Sequence, residues 1–79
     1  MTLNKAFGIQ LRKARLEASL SQEELALKSG LHRTYISLLE RGIRAPSLDI
    51  FFRLCKALGQ EPERFVLKIH RQMESETEL

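Results

Sequence analysis

Seventy-nine residues with 43% hydrophobic content suffice for one domain with its own core, small enough that its stability is modest. No apolar run approaches the ~18 residues of a membrane span, no signal-peptide core is present, and the single cysteine, Cys55, excludes an internal disulfide and fits a reducing cytoplasm. The net charge of +3 is uneven: residues 1–44 hold eight basic and four acidic residues, residues 45–79 five and six, so the first half suits a polyanion.

In chain order, helical spacing of Phe7, Leu11 and Ala14 predicts a first helix from about Asn4 to Ala18, closed by Leu20. Lys5, Arg12 and Lys13 fall off that stripe. Ser21 with Glu24 forms an S-x-x-E capping box, so a second helix starts at Gln22 and carries Leu25, Ala26 and Leu27. Gly30 supplies the positive φ of a tight turn, after which Leu31 tucks inward. A third helix runs from Arg33 to Arg41 with Ile36 and Leu39 inward and Tyr35 and Leu38 beside them. The small Ala26 is what a helix crossing close over the second one requires.

Glycine and proline make Gly42–Pro46 a loop. Ser47 caps a fourth helix reaching Leu58, with Asp49 in its first turn and Gly59 as its stop. Pro62 opens a fifth helix to about Gln72. The acidic residues 74–79 lack periodicity and are expected to form a disordered tail behind a domain of residues 1–73. No stretch alternates as a strand would, so the class is all-α.

The fourth helix is greasier than one core requires. Leu48, Phe51, Leu54, Cys55 and Leu58 cluster on one side, Ile50, Phe52 and Ala57 widen the arc, and Asp49, Arg53 and Lys56 form the polar side. The fifth adds Phe65, Val66, Ile69 and Met73. Such an excess either lies under a neighbouring helix or meets another molecule.

Two helices joined at a glycine turn form a helix-turn-helix. Leu25-Ala26, Gly30-Leu31, Ile36-Ser37 and Leu39-Glu40-Arg41-Gly42 resemble the XRE, or phage-repressor-like, family. The likeness continues through Ala45-Pro46-Ser47-Leu48 and Leu54 to Ala57-Leu58-Gly59, covering roughly residues 7–67. Within it, Arg33-Thr34-Tyr35-Ile36-Ser37 is similar to the controller proteins of restriction–modification systems.

The resemblance implies a compact five-helix DNA-binding domain. It puts Arg33 and Thr34 nearest the base edges, with Ser37 and Leu38 a turn further in. Arg33 can bond guanine O6 and N7, and Thr34 can hydrogen-bond a base or touch a thymine methyl. Leu38 either meets a thymine methyl or packs against the fourth helix. Gln22 resembles the family's phosphate clamp, with Tyr35, Arg41 and Arg44 as further backbone contacts. His32 and Ser29 depart from the family's usual capping residue and small apolar residue. Arg15 and Glu40 match its interhelical ion pair, with Glu24 a possible third member. Dimerisation through the C-terminal helices would use Phe52, Phe65, Val66 and Ile69.

The implied function is a cytoplasmic, homodimeric transcriptional regulator on a palindromic operator, repressor or activator, an activator also meeting RNA polymerase. No cofactor or metal is expected. Two histidines, no cysteine pair and no His-x-x-x-His spacing argue against an enzyme. The alternative is an antitoxin or a protein-interaction module on the same scaffold.

Overall fold

Hydroxyl side chains open three of the helices by accepting amide protons that a helix start leaves unpaired. Thr2 Oγ1 takes the Lys5 amide at 3.2 Å, Ser21 Oγ the Glu24 amide at 3.0 Å, and Ser47 Oγ the Ile50 amide at 3.2 Å. The helices they begin are α1 (Leu3–Glu17), α2 (Gln22–Ser29) and α4 (Leu48–Leu58), with α3 (Arg33–Glu40) and α5 (Pro62–Thr77) completing the all-α order. The computed structural model describes residues 1–77, and among these no strand occurs. None of the helices among the described residues is long and apolar enough to cross a membrane.

The first four helices end alike. Behind each, a residue in the left-handed region lets the next amide reach back across the last turn. Leu20 N–H donates to the Arg15 carbonyl at 3.1 Å, Leu31 to Ala26 at 2.9 Å, Ile43 to Leu38 at 3.0 Å and Gln60 to Cys55 at 2.9 Å. Three of these left-handed residues are glycines, and the fourth is Ser19 at φ 58°. An L-residue there carries about 1–2 kcal/mol of steric cost, only partly offset by the larger entropy a glycine loses on folding. Ser19→Gly is therefore expected to stabilise the fold by about 0.5–1 kcal/mol, raising Tm by a few degrees in a thermal melt. An unchanged or lowered Tm would show that Ser19 carries no such strain.

α1 packs against α3 and α5, α2 against α3 and α4, and α4 against α5. Their inward stripes meet in one core of Phe7, Leu11, Leu25, Ile36, Leu39, Leu54, Phe65 and their neighbours. Three rings form its aromatic centre. Phe7 lies 6.1 Å from Phe51 and 6.2 Å edge-on from Phe65, and Phe51 and Phe65 are 5.9 Å apart. Cys55 belongs to this core, where burial pushes its thiol up to about 11, so it remains protonated and packs as a small apolar group.

Three expectations need correction here. Leu48, expected on the buried side of α4, is 71% exposed because it opens the helix, whereas Ile50 packs against the core. Phe65 and Ile69, expected as dimer anchors, are 0% and 6% exposed within the single chain, because α5 turns Phe65 onto Phe7 and Phe51 and Ile69 into the same core. The fifth helix, expected to end at about Gln72, continues to Thr77, with His70 Nε2 3.2 Å from Glu74 Oε1 and Ser75 Oγ donating to the Gln72 carbonyl at 3.0 Å. The rest of the expected tail, Glu78 and Leu79, lies outside the described residues.

Candidate nucleic-acid interface

α3 is half buried, as its sequence pattern requires. Ile36 and Leu39 have no exposure and anchor its inner face, while Arg33 and Thr34 at its start are exposed and Ser37 and Leu38 half-buried. Leu38 is not among the partly buried side chains packed on the core. Tyr35 packs partly against the core. Arg41 and Arg44, just beyond the helix, are exposed.

Three contacts hold α3 at its far end. Arg15 of α1 grips Glu40 sideways, Nε donating to Oε2 at 2.6 Å and Nη2 to Oε1 at 3.0 Å. The pair is shielded, with side chains 9% and 3% exposed. The hydrogen bonds to Glu40, against the opposing effect of burial, raise the Arg15 pKa above its already high value. Arg15 Nη1 also donates to the Leu20 carbonyl at 2.9 Å, tying in the link to α2. Lys5 Nζ donates to the Arg41 carbonyl at 3.0 Å, and so caps α3 rather than decorating a solvated face. Gly8 lets the two helices touch. A Cβ there would stand 2.5 Å from the Glu40 carbonyl oxygen and 2.6 Å from that of Leu39.

Glu24 is not the third member of the ion pair. Its carboxylate accepts the Ser21 amide at 2.8 Å in the capping box, and the Ser21 backbone and hydroxyl together hold its carboxyl below the usual range. Gln22 takes the third place, its Nε2 donating to Glu40 Oε1 at 3.1 Å. That bond orients the amide at the N-terminus of α2 and leaves it a second N–H.

At the near end α3 begins without a side-chain cap, since His32 makes no such bond. Ser29, the other departure, is buried and donates its hydroxyl to the Leu25 carbonyl at 2.7 Å, so it fills its place without an unpaired group. Arg53 of α4 reaches the turn. It donates to the Ser29 carbonyl from Nε at 3.2 Å and Nη2 at 2.9 Å, and from Nη2 to the Gly30 carbonyl at 3.0 Å. Its sequence signal is only an arginine on the polar side of α4, which names no partner. Among the described residues no buried side-chain nitrogen or oxygen lacks a hydrogen bond. α3 is thus tied down at both ends, while Arg33 and Thr34 in its first turn and Arg41 and Arg44 beyond it stay exposed.

Comparison with known proteins agrees with this geometry. The Helix-turn-helix family model matches residues 11–65, from the middle of α1 to the first turn of α5. The control protein C.BamHI of Bacillus amyloliquefaciens is 52% identical over 58 residues, covering 72% of each chain. The restriction–modification controller protein C.AhdI of Aeromonas hydrophila superposes with a TM-score of 0.76 at 44% identity, covering 78% of this chain and 94% of that one. The controller protein C.Esp1396I, solved as a tetramer with its natural 35-base-pair operator, gives a TM-score of 0.83 at 32% identity over 91% of this chain and 95% of its own. On its sequence and its fold alike, the chain belongs to the XRE-type helix-turn-helix family and stands among the restriction–modification controller proteins within it.

Proposed function

We propose that the chain is a sequence-specific DNA-binding transcriptional regulator of the restriction–modification controller type, acting as a two-fold dimer on a palindromic operator. The observation that carries this is the exposed first turn of α3, on a helix whose inner face is buried and whose far end is bonded to Arg15 and Gln22 through Glu40. In the major groove Arg33 and Thr34 meet base edges, with Ser37 and Leu38 one turn further along. Gln22, Arg41 and Arg44 flank them on phosphates, with the Tyr35 hydroxyl beside them. An interaction module has no need of exposed arginines at both ends of α3, as Arg33, Arg41 and Arg44 are, so the DNA-binding reading is the stronger. An activator of this type would also contact RNA polymerase.

With Phe65 and Ile69 inside the core, the dimer face falls to the exposed residues between α4 and α5. Phe52 and Val66 are 50% and 53% exposed, and Leu3, Leu48 and Val66 rim an apolar groove. Pairing this face across a two-fold axis would place two α3 helices about one DNA turn, ~34 Å, apart. Sedimentation at micromolar concentration is expected to give twice the 9.1 kDa chain mass. Phe52→Glu should give a folded monomer. Changes at Phe65 should unfold the chain instead. A wild-type chain that is strictly monomeric, both free and on DNA, would contradict the dimer.

A further inference from the structure

We propose that Arg53 is a positioning residue for base reading: its guanidinium, clamped on the Ser29 and Gly30 carbonyls, sets the angle at which the first turn of α3 leaves the turn. This rests on the base-reading role of that turn proposed above. α3 begins at Arg33, three residues after Gly30, and His32 offers it no capping bond. Its start is therefore located by the turn itself. Two things locate the turn: Leu31, whose amide bonds Ala26 and whose side chain packs on the core, and Arg53.

The Arg53 bonds are well made for the purpose. The donor is charged, the acceptors sit at the C-terminal, negative end of α2, and a planar fork meets two successive carbonyls with three N–H···O contacts. Asp49, one turn back on α4, has its exposed Oδ2 3.7 Å from Arg53 Nη1, a surface pair that adds little to the clamp. The guanidinium lies close against the turn: a Cβ on Gly30 would come within 2.9 Å of Arg53 Nη2. Phe52, next in sequence to Arg53, lies on the proposed dimer face, so the same helix α4 carries both the contact between copies and the contact to the turn.

A clamp on the turn, unlike a phosphate contact, should act on specificity. Arg53→Gln is expected to weaken operator binding about tenfold, because the start of α3 loses the charged fork that fixes its angle. Random-DNA affinity should change less than about twofold, and the salt-dependence slope should stay as in the wild type because every phosphate keeps its partner. Arg53→Lys, which keeps the charge but not the fork, should fall between wild type and Arg53→Gln. A second readout needs no DNA. Amide exchange at Leu31, Tyr35 and Ile36, the hydrogen-bonded amides on either side of the start of α3, should quicken about tenfold in Arg53→Gln while the core amides of α5 remain unchanged.

Equal losses on operator and random DNA with a slope lower by about one would make Arg53 a phosphate contact and overturn the proposal. So would unchanged exchange at Leu31, Tyr35 and Ile36. If Arg53→Gln does not fold, the operator-to-random ratio of Arg53→Lys decides: a ratio equal to wild type overturns the proposal and a lowered one supports it. A wild type that binds no operator would defeat the functional reading, while the exchange experiment would still judge the clamp.

Discussion

Replacing Arg15 by methionine is expected to lower the unfolding free energy by about 3–5 kcal/mol. Glu40 would keep its place against α1 with a side chain only 3% exposed, and the Gln22 amide would remain as its single side-chain donor. The Leu20 carbonyl would lose its partner as well. A 79-residue domain is worth roughly 4–12 kcal/mol in all, at 0.05–0.15 kcal/mol per residue, so the loss is a large fraction of the total. In a thermal melt it should appear as a fall of at least about 12 °C. Replacing Glu40 by methionine in the same chain should recover part of the loss, because an apolar pair strands no charge. Should either single change cost less than about 1 kcal/mol, the pair behaves as an exposed one and the buried clamp is refuted.

Gly8→Ala is the second large effect, and its sign runs against helix propensity. Alanine in the middle of an exposed helix would gain about 1 kcal/mol over glycine. Here the added methyl meets two backbone carbonyl oxygens at 2.5 and 2.6 Å, neither of which can swing aside as a side chain would. α1 and α3 must separate, which also lengthens the Lys5 and Arg15 bonds to the end of α3. Overpacking of this kind costs about 1–3 kcal/mol, and two backbone clashes put Gly8→Ala in the upper part of that range. Denaturant unfolding measures it. A variant as stable as the wild type would mean that the two helices do not touch at this point.

The helices themselves are legible in the sequence because their signals are local. Ser21, Ser47, Gly30, Gly59 and Pro62 each act within a few residues of the boundary they mark, and the structure has its helix ends there. The Arg15–Glu40 pair follows from family resemblance, not spacing. What the sequence conceals is what depends on distant partners. Lys5 caps a carbonyl 36 positions away, and Arg53 one 24 positions away. Neither carries a mark that separates it from an ordinary surface cation.

Gly8 reads in the sequence as a weak point in a helix, because only the approach of α3 explains it. Phe65 and Val66 illustrate the same limit. A helical wheel shows that α5 has an apolar side but not how much of it α1 and α4 will cover, and the division falls between adjacent residues. Glu24 misleads for the opposite reason. It has a local partner in Ser21 three residues away, and the short loop of the capping box wins over a distant arginine.

In the proposed function the first turn of α3 reads bases while the residues around it hold phosphates. Binding of Arg33→Ala and Arg44→Ala to an operator selected by the wild-type chain from a random DNA pool, and to random DNA, across a salt series, tests this division most directly. Arg33→Ala should cost about 1–3 kcal/mol per half-site on the operator and much less on random DNA. Arg44→Ala should weaken both by similar factors and lower the salt slope by about one unit for each phosphate left without its cation. Equal weakening on both DNAs from Arg33→Ala would make Arg33 a phosphate-binding residue and contradict its role in reading bases.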